Sequence, residues 1–176
     1  MAFALPGSLA REGFFLRPAS ESDRAFQRAL FGTARPDAQF LAAWPAEQRE
    51  PFLDSQFHFQ SIHYAQHHAG ADFLILEQGG VAIGRLILDR TGRDWCVVDI
   101  ALAPQTRGQG IGTKVLLAVQ DAARAAGAAG IELSVEIMNG GAYALYARLG
   151  FVAGEDPDNG AHIPMRWRAD ALGGTR

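Results

Sequence analysis

The feature that most constrains this 176-residue chain is a glycine-rich turn at residues 104–114. It follows an apolar segment with strand character and precedes an alanine-rich segment with helical periodicity. Glycines let successive backbone N–H groups point into one concavity without a Cβ atom blocking a ligand. The start of a helix adds a partial positive charge, and Arg107 adds a full one. The turn therefore predicts a site for a phosphate or a pyrophosphate.

Two familiar phosphate loops do not fit this spacing. The dinucleotide-binding fingerprint G-x-G-x-x-G opens a βαβ unit, whereas Gly108, Gly110 and Gly112 alternate here after a β-meander. A Walker loop requires G-K-[ST], but this chain has Gly112-Thr113-Lys114, in which the order differs. On local spacing alone, a glycine turn that serves only tight packing stays open as an alternative.

The periodicity of the whole chain predicts an α+β fold with a mainly antiparallel sheet flanked by helices. The predicted strands are 14–18, 72–77, 81–88, 95–102, 131–137 and two closing strands near 151 and at 163–168, with helices at 20–30, 45–68, 111–126 and 141–149. On the 45–68 helix, Phe52 and Phe59 mark one apolar face, and Phe57 and Tyr64 mark another. This arrangement predicts a helix that is buried on two sides.

Composition limits the class of protein. With 48% hydrophobic residues, the chain can bury a sizeable core, and we expect one domain over residues 1–176 with mobile ends at 1–12 and 170–176. A net charge of −3 argues against a strongly basic nucleic-acid binder. A single cysteine, Cys96, excludes an internal disulfide framework. The sequence shows neither a secretory signal nor a membrane-spanning segment, so we expect a cytoplasmic protein.

Two motifs at a fixed separation resemble one known family. Arg107-x-x-Gly110-x-Gly112 resembles the acyl-CoA pyrophosphate signature [RQ]-x-x-G-x-[GA] of the GCN5-related N-acetyltransferase (GNAT) family. The segment Ile100-Ala101-Leu102-Ala103-Pro104 looks like the fourth strand of that family, and residues 139–151 are similar to its closing strand–helix–strand motif. Leu16-Arg17-Pro18-Ala19 is like its first strand. The resemblance covers roughly residues 14–168.

The resemblance implies a GNAT-like sheet that is splayed between its fourth and fifth strands, where the backbone holds the pantetheine arm of acetyl-CoA. The fourth strand would pair with pantetheine, the glycine turn would cradle the pyrophosphate, and Asn139 would hydrogen-bond the cofactor arm. Tyr146 would act as general acid to the leaving thiolate. The cofactor-binding residues implied are Ile100, Ala101, Leu102, Arg107, Gly108, Gln109, Gly110, Ile111, Gly112, Thr113, Asn139 and Tyr146.

The group that accepts a proton from the amine is less well defined by the sequence. Some members of the family place a carboxylate at the start of the fourth strand, where Asp94 falls. Others use a glutamate on the fifth strand, but the aligned position here is Ser134. Asp99, Glu136 and water also stay open as alternatives. Simple alternation along the strand places Asp99 on the same face as Val97.

The histidines of the 45–68 helix raise the possibility of a metal site, because His63 and His67 are spaced i, i+4. No HExxH pattern and no acidic third ligand accompany them, so we predict no metal. We interpret His58, His63, His67 and His68 as a polar helix face, and its lining of the acceptor pocket stays open.

The leading functional hypothesis is an N-acetyltransferase that moves an acetyl group from acetyl-CoA to an amine of a small molecule or peptide. The amine would attack directly, without a covalent enzyme intermediate. The alternative is a catalytically silent acyl-CoA-binding sensor or interaction module. We expect no nucleic-acid or membrane partner, and the resemblance makes a homodimer plausible.

Overall fold

A computed structural model describes residues 2–35, 37–154 and 160–169. The elements in chain order are α1 (Gly7–Arg11), β1 (Phe14–Pro18), α2 (Arg24–Ala34), α3 (Ala38–Leu41), α4 (Ala46–His67), β2 (Asp72–Gln78), β3 (Val81–Asp89), β4 (Asp94–Leu102), α5 (Ile111–Ala125), β5 (Gly130–Glu136), α6 (Gly140–Arg148), β6 (Val152–Ala153) and β7 (His162–Arg168). The sequence predicted most of these elements to within a few residues. It missed the short helices α1 and α3.

Among the described residues, seven strands form one sheet in the order β1-β2-β3-β4-β5-β7-β6. Only β4 and β5 are parallel neighbours, and the other pairs are antiparallel. The helix α5 makes the crossover that a parallel pair requires. The predicted α+β class with a mixed, mainly antiparallel sheet is confirmed.

The two parallel strands separate along their length. Their Cα pairing extends only as far as Val97 and Leu133, although the strands continue to Leu102 and Glu136. Residues 98–102 therefore have no strand partner on the β5 side within the described part of the chain. The splay predicted between the fourth and fifth strands is confirmed.

A β-bulge in β4 accompanies this separation. Val97 pairs with Leu88 and Asp99 pairs with Ile87, so Val98 is an extra residue in β4. Bulges bend a strand and exchange the faces of the residues that follow them. Val97 is accordingly buried on the α5 side, whereas Asp99 turns toward α4. The prediction that Val97 and Asp99 share a face is wrong, because simple alternation cannot anticipate a bulge.

The main core lies between the sheet and α5. Its most deeply buried members include Leu74, Leu86, Leu88, Leu116, Val119 and Ile131. Smaller clusters lie on the opposite face of the sheet, where Phe31, Leu53 and Phe57 join α2 to α4. Phe59 of α4 is 63% exposed, so the predicted burial of α4 on two sides is wrong. The helix packs along one side and leaves the other to solvent.

The N-terminal segment joins the main core. Residues 7–11, within the end that the sequence predicts to be mobile, form α1, and Phe3 and Leu9 are buried. The Phe3 N–H donates to a carboxylate oxygen of Asp72 at 3.1 Å. The other predicted mobile end, residues 170–176, lies outside the described residues. None of the described helices combines the length and the hydropathy that crossing a bilayer requires.

Candidate functional site

The glycine-rich turn connects the end of β4 to the start of α5. Gly108 and Gly110 adopt left-handed φ values of 73° and 75°. Gly110 is the N-cap of α5, and the first helical hydrogen bond runs from the Lys114 N–H to the Gly110 carbonyl at 3.0 Å. The N–H groups of residues 111–113 therefore lie ahead of the first helical bond. Together with the helix dipole, they favour an anion at this position.

The volume over the turn is open at the two left-handed glycines. A Cβ atom built on Gly108 or Gly110 would meet no other atom within 4 Å, so a larger side chain would project into the space over the turn. Gly112 differs, because a Cβ there would lie 3.5 Å from Leu145 and 3.8 Å from Leu102. The packing alternative therefore describes Gly112, whereas the backbone at 108 and 110 fits a pyrophosphate.

Arg107 has structural partners that the sequence did not reveal. Its Nε donates to the Leu102 carbonyl at 2.8 Å, and a terminal nitrogen donates to the Thr33 carbonyl at 3.0 Å. The guanidinium thereby joins the end of β4 to the last turn of α2. Within the turn, the Gln109 side chain donates to the Gln105 carbonyl at 2.9 Å. These hydrogen bonds stabilise the conformation of the loop and so hold its backbone amides in place.

A cavity of about 1050 Å³ occupies the splay between β4 and β5. Of the residues predicted to bind the cofactor, Ile100, Ala101, Asn139 and Tyr146 line it. Leu102 and the glycine turn lie outside the lining, where β4 continues toward α5. The structure therefore places the predicted residues along one path from the cavity to the glycine turn.

Two residues of the closing motif have definite local roles. The Asn139 side-chain oxygen accepts a hydrogen bond from the Ala142 N–H at 3.1 Å and caps α6. Tyr146 of α6 is buried, and its ring centroid lies 5.9 Å from that of Phe151. Burial, and secondarily the negative charge of Asp99, raises the pKa of Tyr146 to about 12. The phenol is therefore protonated at neutral pH and available as a hydrogen-bond donor.

The candidate proton acceptors do not lie together. Asp94 lies at the paired end of β4, outside the cavity lining, and a carboxylate oxygen accepts from Arg166 at 2.5 Å. Asp99 and Glu136 both line the cavity. The structure thus brings Asp99 and Glu136 to the cavity that Tyr146 lines, but not Asp94.

One wall of the cavity comes from α4 and its C-cap residue His68, and we call Gln60, His63, Tyr64 and His68 the α4 wall. Burial, followed by the charge of Asp99, raises the pKa of the Tyr64 phenol. His68 contacts a carboxylate oxygen of Asp89 at 3.1 Å, and the His63 and His67 rings stack 4.2 Å apart. Of the four histidines that the sequence interprets as a polar helix face, His63 and His68 line this cavity. It did not single out Gln60 as a site residue, and it treated Tyr64 as core.

Two further observations bear on the chemistry. Burial raises the pKa of the Cys96 thiol, which also lines the cavity, to about 11, so the thiolate is scarce at neutral pH. Among the described residues, no group of three or more His, Cys, Asp or Glu side chains could hold a metal ion.

Comparison with known proteins places this site in context. The acetyltransferase (GNAT) family profile matches residues 35–151, about two thirds of the chain. No curated protein sequence matches the chain.

Solved structures share the fold at low sequence identity. The PaiA N-acetyltransferase of Thermoplasma acidophilum in complex with coenzyme A is 17% identical, with a TM-score of 0.65 over 88% of this chain and 98% of that one. YncA of Salmonella typhimurium, a putative acetyltransferase with acetyl-CoA, is 17% identical, with a TM-score of 0.58 over 93% and 98%. A dodecameric spermidine N-acetyltransferase of Vibrio cholerae is 19% identical, with a TM-score of 0.58 over 91% and 96%.

Proposed function

This chain belongs to the acetyltransferase (GNAT) family, whose enzymes use acetyl-CoA, and we propose that it transfers an acetyl group to an amine of a small molecule or peptide. The observation that carries the proposal is the cavity in the β4–β5 splay, because it is lined by the buried Tyr146 and by residues of β4, the strand that leads to an anion-favouring turn. An acyl-CoA has the same two parts, a reactive thioester at one end of an arm and a pyrophosphate toward the other.

Backbone groups would hold most of the cofactor. The free edge of Ile100, Ala101 and Leu102 offers N–H and C=O groups to a pantetheine arm, much as a strand edge accepts another strand. The Arg107 N–H donates to the Pro104 carbonyl, and the amides of residues 108–113 offer donors to the pyrophosphate. Asn139 already uses its side-chain oxygen to cap α6, which leaves its amide nitrogen for the cofactor arm.

Acetyl-CoA, when bound, supplies a thioester whose C–S bond breaks as the N–C bond to the amine forms. Tyr146 would give its phenolic proton to the departing sulfur. A raised pKa keeps this proton in place across the neutral range until a negative charge develops beside it. The same burial excludes water from the phenol and strengthens the hydrogen bond that it can donate.

Direct attack by the amine fits the thiol that lines the cavity. A relay through Cys96 would need a thiolate, and burial raises the pKa of Cys96 to about 11. The cavity therefore favours transfer in one step from the thioester to the amine.

The amine must lose a proton, because an alkylamine with a pKa of about 10.4 is largely an ammonium at neutral pH. Glu136 is our proposed proton acceptor, since it lines the cavity and makes no ion pair with any described residue. Asp94 is not among the cavity-lining residues and is engaged by Arg166, and Asp99 is engaged by Arg85. Cavity water can carry the proton onward because Glu136 is exposed.

The proposed function is tested by release of free CoA from acetyl-CoA, followed with a thiol reagent in the presence of single amines. Spermidine, lysine amide, tyramine, kanamycin and a short peptide with a free N-terminus cover the main classes of acceptor. We expect release that depends on at least one of these amines, with mass spectrometry showing the amine gain 42 Da. CoA binding without amine-dependent release over this panel would instead support a silent acyl-CoA sensor.

A further inference from the structure

Arg85 of β3 is buried although it is charged, with an exposed fraction of 5%. Its Nε donates to Asp99 Oδ2 at 2.8 Å, and a terminal nitrogen donates to the Gln60 side-chain oxygen at 3.3 Å. These bonds join β3, β4 and α4 at one point beside the cavity. A buried guanidinium is costly unless its partners are well placed, so a buried arginine fixes the groups around it.

Arg85 binds only one of the two carboxylate oxygens of Asp99. Arg85 occupies Oδ2, whereas no described residue donates a hydrogen bond to Oδ1. Although Oδ1 has no partner among the described residues, it is not fully buried. Because Asp99 lines the cavity and its side chain is 19% exposed, Oδ1 is accessible to a molecule inside it.

Asp99 shares the cavity lining with two phenols, the half-buried Tyr64 and the buried Tyr146. Its negative charge contributes to the raised pKa values of both Tyr64, on the α4 wall, and Tyr146, on α6. An amine inside this cavity can therefore contact Asp99 as well as a thioester beside Tyr146.

We propose that Asp99 Oδ1 binds the ammonium form of the acceptor amine, and that Arg85 and Gln60 are positioning residues that hold Asp99 at the cavity wall. The inference rests on the proposed function and names the group that recognises its acceptor. Arg85 holds Asp99 in an ion pair that leaves Oδ1 for the amine, whereas Glu136 makes no ion pair with any described residue and takes the proton. The acceptor class is an unhindered cationic amine.

The test uses binding as well as turnover. The wild type and the Asp99→Asn, Arg85→Met, Arg85→Lys and Gln60→Ala variants, each saturated with CoA, are titrated with tyramine and spermidine by NMR. Asp54→Asn is the matched control, because Asp54 accepts from the Nε of Arg28 at 2.6 Å outside the cavity lining. The dissociation constant for CoA, measured by calorimetry, reports whether each variant keeps its fold.

We expect Asp99→Asn to weaken amine binding about tenfold to a hundredfold, since the ammonium loses its charged hydrogen-bond acceptor. Arg85→Met should weaken it about tenfold, Arg85→Lys less, and Gln60→Ala by a few fold. CoA affinity should stay within about twofold of the wild-type value in every variant. The Arg85→Met/Asp99→Asn double variant should bind amine no more weakly than Asp99→Asn, because Arg85 acts through Asp99.

Three results would overturn the inference. The first is a wild-type protein that binds CoA but neither amine, and the second is Asp99→Asn binding an amine as tightly as Asp54→Asn does. The third is a double variant whose loss equals the sum of the two single losses in free energy. Failure of the proposed function is a separate result, namely amine binding without CoA release from acetyl-CoA. In that case the amine affinities of the Asp99→Asn and Asp54→Asn variants still decide the role of Asp99.

Discussion

The two ends of the proposed site are built in different ways. The glycine turn presents backbone N–H groups from one short segment, and Gly108 and Gly110 contribute mainly by lacking side chains. The α4 wall and its neighbours present side chains from elements far apart in the chain, with Arg85 of β3 joining Gln60 of α4 to Asp99 of β4. A site made of backbone depends on local conformation, whereas a site made of side chains depends on how separate elements pack.

The largest effect should come from a change in the turn. We predict that Gly110→Glu weakens CoA binding at least about a hundredfold, because it puts a carboxylate where a pyrophosphate would lie. A non-glycine residue at a φ of 75° is also strained. Calorimetric titration with CoA measures the loss.

Gly127→Glu provides the control for this variant. Gly127 follows the other end of α5, has a φ of 73°, and has no atom within 4 Å of a built Cβ. It therefore introduces the same strain and the same charge away from the turn. Equal losses of CoA affinity in the two variants would contradict a binding role for the turn.

A smaller effect should follow from removing one hydroxyl in the cavity. We predict that Tyr146→Phe lowers kcat by about a hundredfold while the dissociation constant for CoA stays within about twofold. Because the pKa of Tyr146 is raised to about 12, wild-type turnover should not fall through the ordinary tyrosine range near pH 10 from loss of this proton. Tyr143→Phe, on an exposed position of the same helix, is the control. Similar kcat values for the two variants would remove Tyr146 as the acid.

The proposed proton acceptor should matter less than the acid, since water can replace it. We predict that Glu136→Gln lowers kcat/KM about tenfold at pH 7, and that the loss shrinks as the pH approaches the pKa of the amine, near 10. Rate profiles from pH 6 to 10 measure this convergence. Glu132→Gln changes a carboxylate on the same face of β5 and is the control. A loss at Glu136→Gln that is constant over this range would argue against proton acceptance.

The smallest expected change concerns the cap of α6. We predict that Asn139→Ala lowers the free energy of unfolding by about 1 kcal/mol, because the Ala142 N–H loses its acceptor. Asn139→Asp keeps an acceptor there and should recover most of that stability in urea unfolding. If Asn139→Ala is as stable as the wild type, the cap does not contribute to folding.

The contrast between the two regions also explains what the sequence could predict. Arg107, Gly110 and Gly112 lie within six residues, so their spacing alone identifies the turn and the strand and helix on either side. The separation of β4 and β5 was predicted from the resemblance of these residues to the GNAT pyrophosphate motif. The α+β class followed from hydrophobic periodicity, which survives even where element boundaries shift by a residue or two.

The sequence could not identify residues whose roles depend on packing. Gln60, Arg85 and Asp99 are separated by 25 and 14 positions, and only the packing of α4 on the sheet brings them together. The bulge at Val98 places Asp99 on the α4 face, and no local residue pattern in the sequence predicts this bulge. Asp94 lies at the start of β4, where some members of the family place a carboxylate, but it does not line the cavity and Arg166 of β7 donates to it.

The most direct test of this two-region account is amide hydrogen exchange measured by NMR, with CoA added first and an acceptor amine second. CoA alone should slow exchange at residues 108–113 and along 100–102, and leave the α4 amides near Gln60 and Tyr64 unchanged. Addition of the amine should then slow exchange in α4. Protection of α4 by CoA, with exchange at residues 108–113 unchanged, would contradict the account.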